Sequence, residues 1–366
     1  MINILISGYY GFNNIGDESI LRTVIDNLRE KLGDIDITVL SQNPEQTAEK
    51  YGVKAAQRMS IPDIVRAISR CDLLLSGGGS LLQDATSSHS ILYYLFILRL
   101  AQIMGKKTFI YSQGIGPISS ARNRRLTASV LRRVSSIVVR DSKSRDLLLE
   151  IGVPDRLIRV TADPVIRVKK ADTALGLDIL RHEGFPRKEG KLTVGWAVKS
   201  RRPDPVFYDE IRKCIRWLKE EYDADSVLIP FFHSEDLSVC ETIAAELGEE
   251  VGCLRQKYLS EETLSIIGCM DILVGVRLHS LIYSAVMGVP MIGISYDPKV
   301  DSFLSSIEQS ALCDVKDFTL EQFQTAFRTT MQQRESICST TEACITQLIT
   351  KLDQNEELIR SIMTNA

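Results

Sequence analysis

The sequence predicts an α/β protein made of two doubly wound, Rossmann-like domains that face each other across a cleft. Apolar strand-like runs alternate with amphipathic helices in both halves of the chain, a pattern typical of parallel sheets covered by helices. The chain has 366 residues, which is too long for one ordinary core. A charged stretch at residues 168–190 interrupts the alternation and predicts an interdomain linker.

The first half, residues 1–170, repeats one unit, in which an apolar strand ends in a glycine or a small polar residue and an amphipathic helix follows. The predicted strands are INILISG, DITVLSQ, DLLLSGGG, KTFIYSQGIG, SIVVRD and LIRVTADP. The predicted helices are Asp17–Lys31, Ile61–Ser69, Ser88–Met104, Ser119–Val134 and Lys143–Ile151.

The second half, residues 171–335, restarts the alternation. Its predicted strands are LTVGWAV, SVLIPFF, a short strand around Cys253, DILVGVRLH and PMIGISYD. Its predicted helices are Val206–Tyr222, Ser234–Leu247, Glu261–Ile267, Ser280–Met287 and Leu320–Gln333. A last long helix, Thr341–Ile362, is expected to cross back, so that residues 341–366 join the first domain.

The composition, with 44% hydrophobic and 25% charged residues, is typical of a soluble globular protein. Met1 is followed at once by an apolar strand-like run, without a basic segment or a small-residue cleavage site, so we expect no signal peptide and a cytoplasmic protein. The eight cysteines show no CxxC or zinc-like spacing. We therefore expect neither a disulfide nor a metal site.

One segment is strongly basic. Between Ala85 and Arg140 the sequence contains nine Lys and Arg residues and no Asp or Glu. The segment includes the apolar run Ile91–Met104, which at 14 residues with Arg99 inside is too short to span a bilayer. It predicts either a core helix with basic neighbours or a surface that docks on the inner face of the cell membrane. The pI of about 5.9 and the absence of an aromatic stacking pattern argue against nucleic acid as the partner.

The segment from Asp271 to Lys299 is the most informative part of the chain. A predicted strand runs into Arg277 and His279, and strand alternation would point both side chains to one side and Leu278 to the other. An unpaired charge in a core is costly, so Arg277 is predicted to bind an anion. His279 can give or take a proton near neutral pH, and it lies at the carboxyl end of a predicted parallel strand, where α/β sheets bind ligands. The alternative is a core histidine bonded to a backbone carbonyl.

Two more cations follow predicted strands. Arg140 in VVRDSKS is a second candidate anion ligand, and the neighbouring Asp141 is expected to cap the next helix. Lys299 in YDPK is a third candidate, with a solvated lysine as the alternative. His233 follows another strand and is expected to hydrogen-bond locally, with catalysis as the lesser alternative.

Polar loops of the first half predict a site for hydroxyl groups. Asn13, Asn14 and Asp17 lie where the first strand passes into the first helix, and the adjacent Glu18 is expected to stabilise the helix start. Three glycines in SGGGSLLQD would allow a ligand or the facing domain to approach the backbone closely. Gln113 in YSQGIGP is expected on the rim of the cleft.

Five segments together resemble one family. They are SGYYGFNNIGDE, LLLSGGGSLLQD, YSQGIGP, VVRDSKS and VGVRLHSLIYSAVMGVPMIGISYDPK, and they resemble the polysaccharide pyruvyltransferases, most closely the CsaB type that adds pyruvate ketals to cell-wall polysaccharide precursors. The resemblance extends over nearly the whole chain. It implies a GT-B-like fold and transfer of a pyruvyl group from phosphoenolpyruvate onto two sugar hydroxyls as a cyclic ketal, with release of phosphate and without a metal or a cofactor.

The resemblance also implies roles for residues. His279 resembles the general acid, the first domain would bind the acceptor, and the second would bind phosphoenolpyruvate. The implied phosphoenolpyruvate ligands are Arg140, Arg277, Leu278 and Lys299, and the implied acceptor ligands are Asn13, Asn14, Asp17, Gly78, Gly79, Gln83 and Gln113. The implied acceptor is an N-acetylmannosamine-containing saccharide on an undecaprenyl pyrophosphate carrier, as in the secondary cell-wall polysaccharides that anchor S-layers. Such an acceptor would give the basic segment a reason to face the membrane.

Two other functions remain open. A glycosyltransferase that uses a nucleotide sugar would share the two-domain architecture, although no carboxylate follows His279 before Asp297 to bind the ribose hydroxyls. A non-catalytic protein that binds a phosphorylated metabolite would share the cations but would release no phosphate.

Overall fold

The computed structural model describes residues 1–85, 88–200 and 205–364. It divides the chain into two compact units. The first contains Met1–Arg167 and the chain from Leu348 onward, and the second contains Val168–Gln347.

The first unit is built on an eight-stranded parallel sheet. The strand order is β3-β2-β1-β4-β6-β7-β8, and β5 pairs with β6. The strands are β1 (Ile2–Ser7), β2 (Ile35–Ser41), β3 (Lys54–Gln57), β4 (Leu73–Ser76), β5 (Gly79–Leu82), β6 (Lys107–Ile115), β7 (Ser136–Val139) and β8 (Ile158–Val160). The central strands carry consecutive buried apolar residues, such as Ile4–Ile6 of β1 and Leu73–Leu75 of β4, because helices cover both faces of the sheet.

Six helices connect these strands. They are α1 (Ile15–Leu32), α2 (Pro44–Tyr51), α3 (Ile61–Arg70), α4 (Ser88–Ile103), α5 (Ala121–Leu131) and α6 (Ser142–Glu150). Helices α3, α4, α5 and α6 share one hydrophobic core with alternate residues of the strands, so they lie on the same face of the sheet. Strand β5 was not predicted, and neither were α2 and β3. The latter two lack the usual signal because α2 buries only Thr47 and Tyr51, and β3 has the sequence KAAQ without a β-branched residue.

The second unit contains a five-stranded parallel sheet. Its order is β11-β10-β9-β12-β13. The strands are β9 (Thr193–Ala197), β10 (Asp225–Leu228), β11 (Val251–Cys253), β12 (Ile272–Gly275) and β13 (Met291–Gly293). The helices are α7 (Thr173–His182), α8 (Pro205–Tyr222), α9 (His233–Leu247), α10 (Ser260–Gly268), α11 (Leu278–Met287), α12 (Pro298–Ser306), α13 (Leu320–Gln332) and α14 (Arg334–Thr364). Two parallel-sheet α/β domains are therefore confirmed.

Helix α7 corrects the prediction of a linker at residues 168–190. It packs against α10, and the amide of Gly176 donates to Ser265 Oγ at 2.6 Å. A Cβ at Gly176 would lie only 2.5 Å from the carbonyl oxygen of Ser265, so the close packing requires glycine. The helix was missed because its buried face consists of only Gly176 and Leu180, which leaves little apolar periodicity.

The last helix, α14, belongs to the second unit as far as Gln347 and to the first unit from Leu348, which confirms that the chain returns to the first domain. Its end is fixed to the first unit by the buried groups Arg167 and Glu356 and by the partly exposed Asp353. Arg167 pairs with Glu356 at 3.0 Å and with Asp353 at 2.7 Å, and Glu356 also accepts a hydrogen bond from the Tyr111 hydroxyl. Burial raises the pKa of Glu356, although Tyr111 and Arg167 oppose this effect.

None of the helices in the described parts of the chain combines the length and the apolar character needed to cross a membrane. Helix α4, the most apolar long segment noted in the sequence, is a helix of 16 residues that contributes to the core of the first unit.

Replacing Arg167 with Met should destabilise the first unit by about 3–5 kcal/mol, because Glu356 would keep a buried charge without its partner. Hydrogen exchange of residues 348–364 and urea unfolding followed by circular dichroism would measure the loss. The double variant Arg167→Met/Glu356→Leu should recover much of it. Lys170→Met, which removes an exposed pair with Glu342, is the control and should change stability by less than about 1 kcal/mol. Equal effects of the two single substitutions would contradict the expectation.

Candidate active site

The second sheet has a topological switch point between β9 and β12. From these adjacent strands the chain continues toward opposite edges of the sheet, and such a point opens a crevice beyond the carboxyl ends of the strands, where α/β proteins bind ligands. Lys199 follows β9, Arg277 follows β12, and Tyr296 follows the neighbouring β13. The topology therefore brings three polar side chains from three connections to one edge of the sheet.

The local structure at Arg277 corrects the sequence prediction. Strand β12 ends at Gly275, Arg277 is the N-cap residue of α11, and His279 lies in the first turn of that helix. Side chains two positions apart on a helix do not share a face, so the predicted strand alternation of Arg277 and His279 is wrong. Leu278 is the first residue of α11 and its side chain is buried.

The charge of Arg277 is matched within the protein. Its Nε donates to Asp236 Oδ2 at 3.0 Å, and its Nη2 donates to Asp236 Oδ1 and, at 3.3 Å, to Glu235. Asp236 is fully buried and also accepts hydrogen bonds from the backbone amides of Ser200 and Phe232. Arg277 therefore needs no external anion to balance its charge, and its contact with phosphoenolpyruvate stays a prediction. These hydrogen bonds use Nε and Nη2 of Arg277. No residue in the described ranges accepts from Nη1, so Nη1 is the group of Arg277 that could donate to a ligand.

Two lysines surround Tyr296. The Nζ atom of Lys199 lies 3.4 Å from the centre of the Tyr296 ring, and that of Lys299 lies 5.5 Å from it. Lys299 pairs with Asp297 at 3.2 Å, whereas Lys199 makes no ion pair with a carboxylate of the described residues. Although burial favours the neutral phenol, Lys299 and Lys199 leave the pKa of Tyr296 lowered. Burial, together with Arg277 and Lys299, lowers the pKa of Lys199, an effect that Tyr296 partly offsets.

The histidines have distinct surroundings. His279 is half-buried in the first turn of α11, two positions after Arg277. His233 begins α9, and its Nε2 lies 2.8 Å from the carbonyl oxygen of Arg255, so it makes the expected local hydrogen bond. His279 is therefore the histidine that accompanies the cations at the switch point.

The first sheet has its own switch point between β1 and β4. The loop after β1 contains Asn13 and Asn14, and the amide of Gly77 after β4 donates to the Ser7 carbonyl at 2.8 Å. Asn14 caps α1 by accepting from the Gly16 amide at 3.1 Å, and Asn13 adopts a left-handed conformation with φ of 62°. Asn13, Asn14 and Asp17 are all half-buried here, which keeps them candidates for a ligand.

Glu18 has the structural role predicted for it. Its carboxylate is buried, accepts from the amide of Gly11 at 3.0 Å and from the hydroxyl of Tyr51, and pairs with Lys50 at 3.6 Å. The carboxylate thus fixes the loop that precedes α1.

The glycine run has a different explanation from the one expected. A Cβ at Gly77 would clash with the Tyr10 hydroxyl, and one at Gly78 would lie 2.8 Å from the side chain of Ile20. Gly79 has φ of +89°, a left-handed conformation that favours glycine. Tyr10 and α1 therefore approach the glycine run closely, and contact of Gly78 and Gly79 with an acceptor stays a prediction.

The two glutamines near this loop differ. Gln113 is fully buried, and its Nε2 donates to Ser76 Oγ at 2.8 Å and to the Gly77 carbonyl. The expected position of Gln113 on an exposed rim is thus wrong, and it holds the glycine loop instead. Gln83 follows β5 and is half-buried.

The guanidinium of Arg140 is enclosed by the first unit. It pairs with Asp163 at 2.9 Å and donates to Ser80 Oγ at 2.9 Å, and only 6% of its side chain is exposed. Gly114 has no room for a Cβ beside it. Asp141 caps α6 as expected, accepting from the Ser144 amide at 2.7 Å. Contact of Arg140 with phosphoenolpyruvate stays a prediction.

Sequence reasoning missed an aromatic cluster around Arg58. Tyr9 and Phe12 stack with ring centres 4.0 Å apart, and the Arg58 guanidinium lies 5.0 Å from the Phe12 ring and 4.8 Å from the Tyr93 ring. Arg58 also donates to the Gly8 carbonyl at 3.3 Å. The cation therefore holds the loop Gly8–Asn14 against α4. Such a cluster depends on contacts between segments far apart in the sequence, which no local pattern reveals.

Comparison with known proteins places the chain in a family. The family model described as polysaccharide pyruvyl transferase matches residues 14–298, which is more than half of the chain. The chain belongs to the polysaccharide pyruvyl transferase family. The chain is 22% identical over 365 residues to the amylovoran biosynthesis protein AmsJ of Erwinia amylovora, covering 81% of this chain and 84% of AmsJ. The family is one of polysaccharide biosynthesis, and the resemblance noted in the sequence is confirmed.

Solved structures support the fold of this chain. Anabaena HepE in complex with UDP-glucose is 12% identical, covers 99% of this chain and 100% of HepE, and has a TM-score of 0.67. UDP-GlcNAc 2-epimerase from Neisseria meningitidis is 14% identical, covers 100% of both chains, and has a TM-score of 0.63. At these identities the likeness establishes a GT-B-like fold and nothing about the substrate.

The sequence-based predictions did not include three residues of the second-unit site. Lys199 ends the run LTVGWAVK, and the rule that singled out Arg140 and Lys299, a cation directly after a strand, would also have found it. Asp236 and Glu235 belong to PFFHSED, but only the fold brings them to Arg277. In the described ranges, no group of His, Cys, Asp and Glu side chains could hold a metal ion.

Replacing Asp236 with Ala should destabilise the second unit by about 3–5 kcal/mol, because Arg277 would lose its buried partner. Both tryptophans, Trp196 and Trp217, lie in this unit, so tryptophan fluorescence during urea unfolding reports on it selectively. The control is Asp178→Ala, which removes an exposed pair with Arg181 and should cost less than about 1 kcal/mol. A similar small cost for both variants would show that the Asp236 pair is dispensable.

Proposed function

We propose that this protein transfers the pyruvyl group of phosphoenolpyruvate to two hydroxyls of a sugar, forming a cyclic ketal and releasing phosphate. The family membership carries this proposal, because it limits the reaction to pyruvyl transfer in polysaccharide biosynthesis. The cations at the switch point of the second unit support it further, since phosphoenolpyruvate carries a phosphate and a carboxylate.

The proposed binding site for phosphoenolpyruvate uses Lys199, Lys299 and Arg277. Asp236 holds the guanidinium of Arg277 in a fixed orientation, which leaves Nη1 to donate to the substrate. Lys199 lies over Tyr296, and a cation held by an aromatic face still has N–H donors for a phosphate oxygen. Substrate binding would replace the repulsion among these cations with ion pairs.

In the proposed reaction His279 acts as the general acid. It protonates the methylene carbon of phosphoenolpyruvate, so that the enol carbon becomes electrophilic and a methyl group forms. One sugar hydroxyl attacks this carbon and returns its proton to His279. The C–O bond to phosphate then breaks, the second hydroxyl attacks, and its proton leaves with the phosphate. The cations stabilise the phosphate as its negative charge increases.

The acceptor is proposed to bind at the switch point of the first unit, near Asn13, Asn14 and Asp17. A loop held by Arg58 and Glu18 is ordered before the acceptor arrives, which reduces the entropy cost of binding. The proposed acceptor is an N-acetylmannosamine-containing saccharide on a lipid carrier. The enzyme would then work in the cytoplasm, at the inner face of the membrane.

The first test measures phosphate release from phosphoenolpyruvate in the presence of a synthetic lipid-linked amino-sugar disaccharide. His279→Gln should lower acceptor-dependent release by at least about 10²-fold while phosphoenolpyruvate still binds, because a positioned general acid contributes about this much. His233→Gln is the matched control and should retain activity. Full activity of His279→Gln would mean that another group supplies the proton.

Thermal stabilisation by ligands, together with the phosphate assay, separates the alternatives. A nucleotide-sugar transferase would be stabilised against heat by UDP and not by phosphoenolpyruvate. A metabolite-binding protein would bind phosphoenolpyruvate but release no phosphate with any acceptor. Either result would reject pyruvyl transfer from phosphoenolpyruvate.

The second test concerns Lys199. Lys199→Gln should weaken phosphoenolpyruvate binding about 10- to 100-fold at neutral pH, since a charge-assisted hydrogen bond contributes roughly 1.5–3 kcal/mol. The pKa of Lys199 is lowered, so the wild type should lose affinity as the pH rises through that lowered pKa. Lys199→Arg should bind without this alkaline loss, because a guanidinium stays charged. Calorimetric titration with phosphoenolpyruvate from neutral to alkaline pH measures both effects.

The control for Lys199 is Lys191→Gln. Lys191 lies just before the opposite end of β9, where it pairs with Asp225 at 2.7 Å, so the substitution removes the same charge away from the site. Its affinity for phosphoenolpyruvate should equal that of the wild type. Equal losses of affinity in Lys191→Gln and Lys199→Gln would mean that Lys199 contributes only to the net charge of the protein and does not contact phosphoenolpyruvate.

A further inference from the structure

The outer surface of α4 and α5 in the first unit combines unmatched positive charge with exposed apolar side chains. The exposed side of α5 carries two arginines three residues apart, two more follow the last residue of the helix, and α4 adds the half-exposed Arg99. The arginines of this surface are Arg99, Arg122, Arg125, Arg132 and Arg133. The two helices pack side by side, and Gln102 of α4 donates to the Val130 carbonyl of α5 at 3.0 Å. Their exposed sides therefore form one surface, called here the α4–α5 surface.

The positive charge of the α4–α5 surface is not matched by carboxylates of the described residues. None of its five arginines forms an ion pair with a carboxylate in the described parts of the chain. Exposed arginines elsewhere in the chain form such ion pairs. Arg145 pairs with Asp155 at 2.9 Å, and Arg181 pairs with Asp178 at 2.8 Å. The cause is visible in the sequence, because no acidic residue occurs between Ala85 and Arg140. The surface thus attracts an extended anion.

Large apolar side chains lie among these charges. Phe96 and Ile103 of α4 are 43% and 69% exposed, and Leu126 of α5 is 37% exposed. Phe96, Arg99 and Ile103 are spaced by three and four residues, so they share one side of α4, opposite the core residues Ile97 and Ala101. Nucleic acid would bind the arginines but would offer no apolar region for the aliphatic side chains, whereas a lipid bilayer can interact favourably with both.

A groove on this surface is suited to a phosphate group. It has a volume of about 310 Å³ and is lined by Arg125, Arg132 and Arg133 together with small or apolar residues. Arg132 is oriented by a hydrogen bond from its Nε to the Gly152 carbonyl at 2.8 Å. Arginines that converge on a groove beside apolar side chains match the phosphate and the acyl region of a phospholipid.

We propose that the α4–α5 surface docks the protein on a bilayer that contains anionic phospholipids. The arginines bind the phosphate headgroups, and Phe96, Ile103 and Leu126 enter the interface between headgroups and acyl chains. Binding is peripheral and reversible, because the contribution of each arginine is modest and salt screens it. If the proposed lipid-linked acceptor is correct, docking also concentrates the enzyme where its acceptor resides.

The test measures co-sedimentation of the full chain with vesicles of phosphatidylcholine, with and without phosphatidylglycerol. The wild type should bind only the vesicles with phosphatidylglycerol, and binding should weaken as the salt concentration rises. The triple variant Arg125→Gln/Arg132→Gln/Arg133→Gln should bind on the order of 100-fold more weakly, since each basic residue near an anionic surface contributes about fivefold. Phe96→Ser/Ile103→Ser should weaken binding several-fold and leave its salt dependence unchanged.

The matched control removes three charges elsewhere. Arg181→Gln/Lys213→Gln/Arg255→Gln changes three exposed basic residues of the second unit, each paired with a carboxylate, and should bind vesicles like the wild type. Equal binding to both kinds of vesicle, or equal losses in the two triple variants, would overturn the proposal. Tighter binding to a short RNA than to the anionic vesicles would assign the surface to nucleic acid instead. Vesicle binding needs no substrate, so its failure is distinct from a failure of pyruvyl transfer.

Discussion

The buried pair of Asp236 and Arg277 is the interaction on which the second-unit site depends. The Asp236 carboxylate accepts hydrogen bonds from the amide of Ser200 after β9, from the amide of Phe232 before α9 and from the guanidinium of Arg277 before α11. One carboxylate therefore fixes three of the connections that form the edge of the sheet. Because the pair is desolvated, its main contribution is a unique geometry rather than a large net stability. The positions of His279 and of the Arg277 donors both follow from that geometry.

The first unit fixes its loops by the opposite arrangement of charge. There the cation Arg58 lies among Tyr9, Phe12, Tyr93 and Tyr94, and it is 7% exposed without an ion pair in the described ranges. Aromatic faces stabilise a guanidinium less than a carboxylate does, and the carboxylate that bonds this loop, Glu18, is paired with Lys50. Such a loop suits a neutral, hydroxyl-rich ligand, whereas the lysines of the second unit suit an anion. The division of labour proposed for the two units rests on this difference.

The sequence predicted the α/β class, both sheets and the last helix because these depend on strong local patterns, namely buried strands and amphipathic helices. It missed α7, whose packing depends on the absence of a side chain at Gly176, and it extended β12 through Arg277, because an apolar run does not reveal where a strand ends and a helix begins. The partners of Arg277 could not be predicted either, since Asp236 is 41 residues away and reaches it only through the fold. The glycine run was noticed, but its close contacts with Tyr10 and Ile20 were not predicted, because they depend on the fold.

The distribution of charge within the second-unit site explains why Lys199 deserves more weight than Arg277 in binding. The Nε and Nη2 groups of Arg277 already donate to Asp236, so a substrate anion could accept only from the remaining N–H groups of the guanidinium. Lys199 lies over the Tyr296 ring and pairs with no carboxylate within the described ranges, and burial, together with Arg277 and Lys299, lowers its pKa. In the proposed reaction the dianion would supply a counter-charge that stabilises the ammonium form. We therefore expect Lys199, which is the less compensated of the two cations, to gain more than Arg277 when the anion binds.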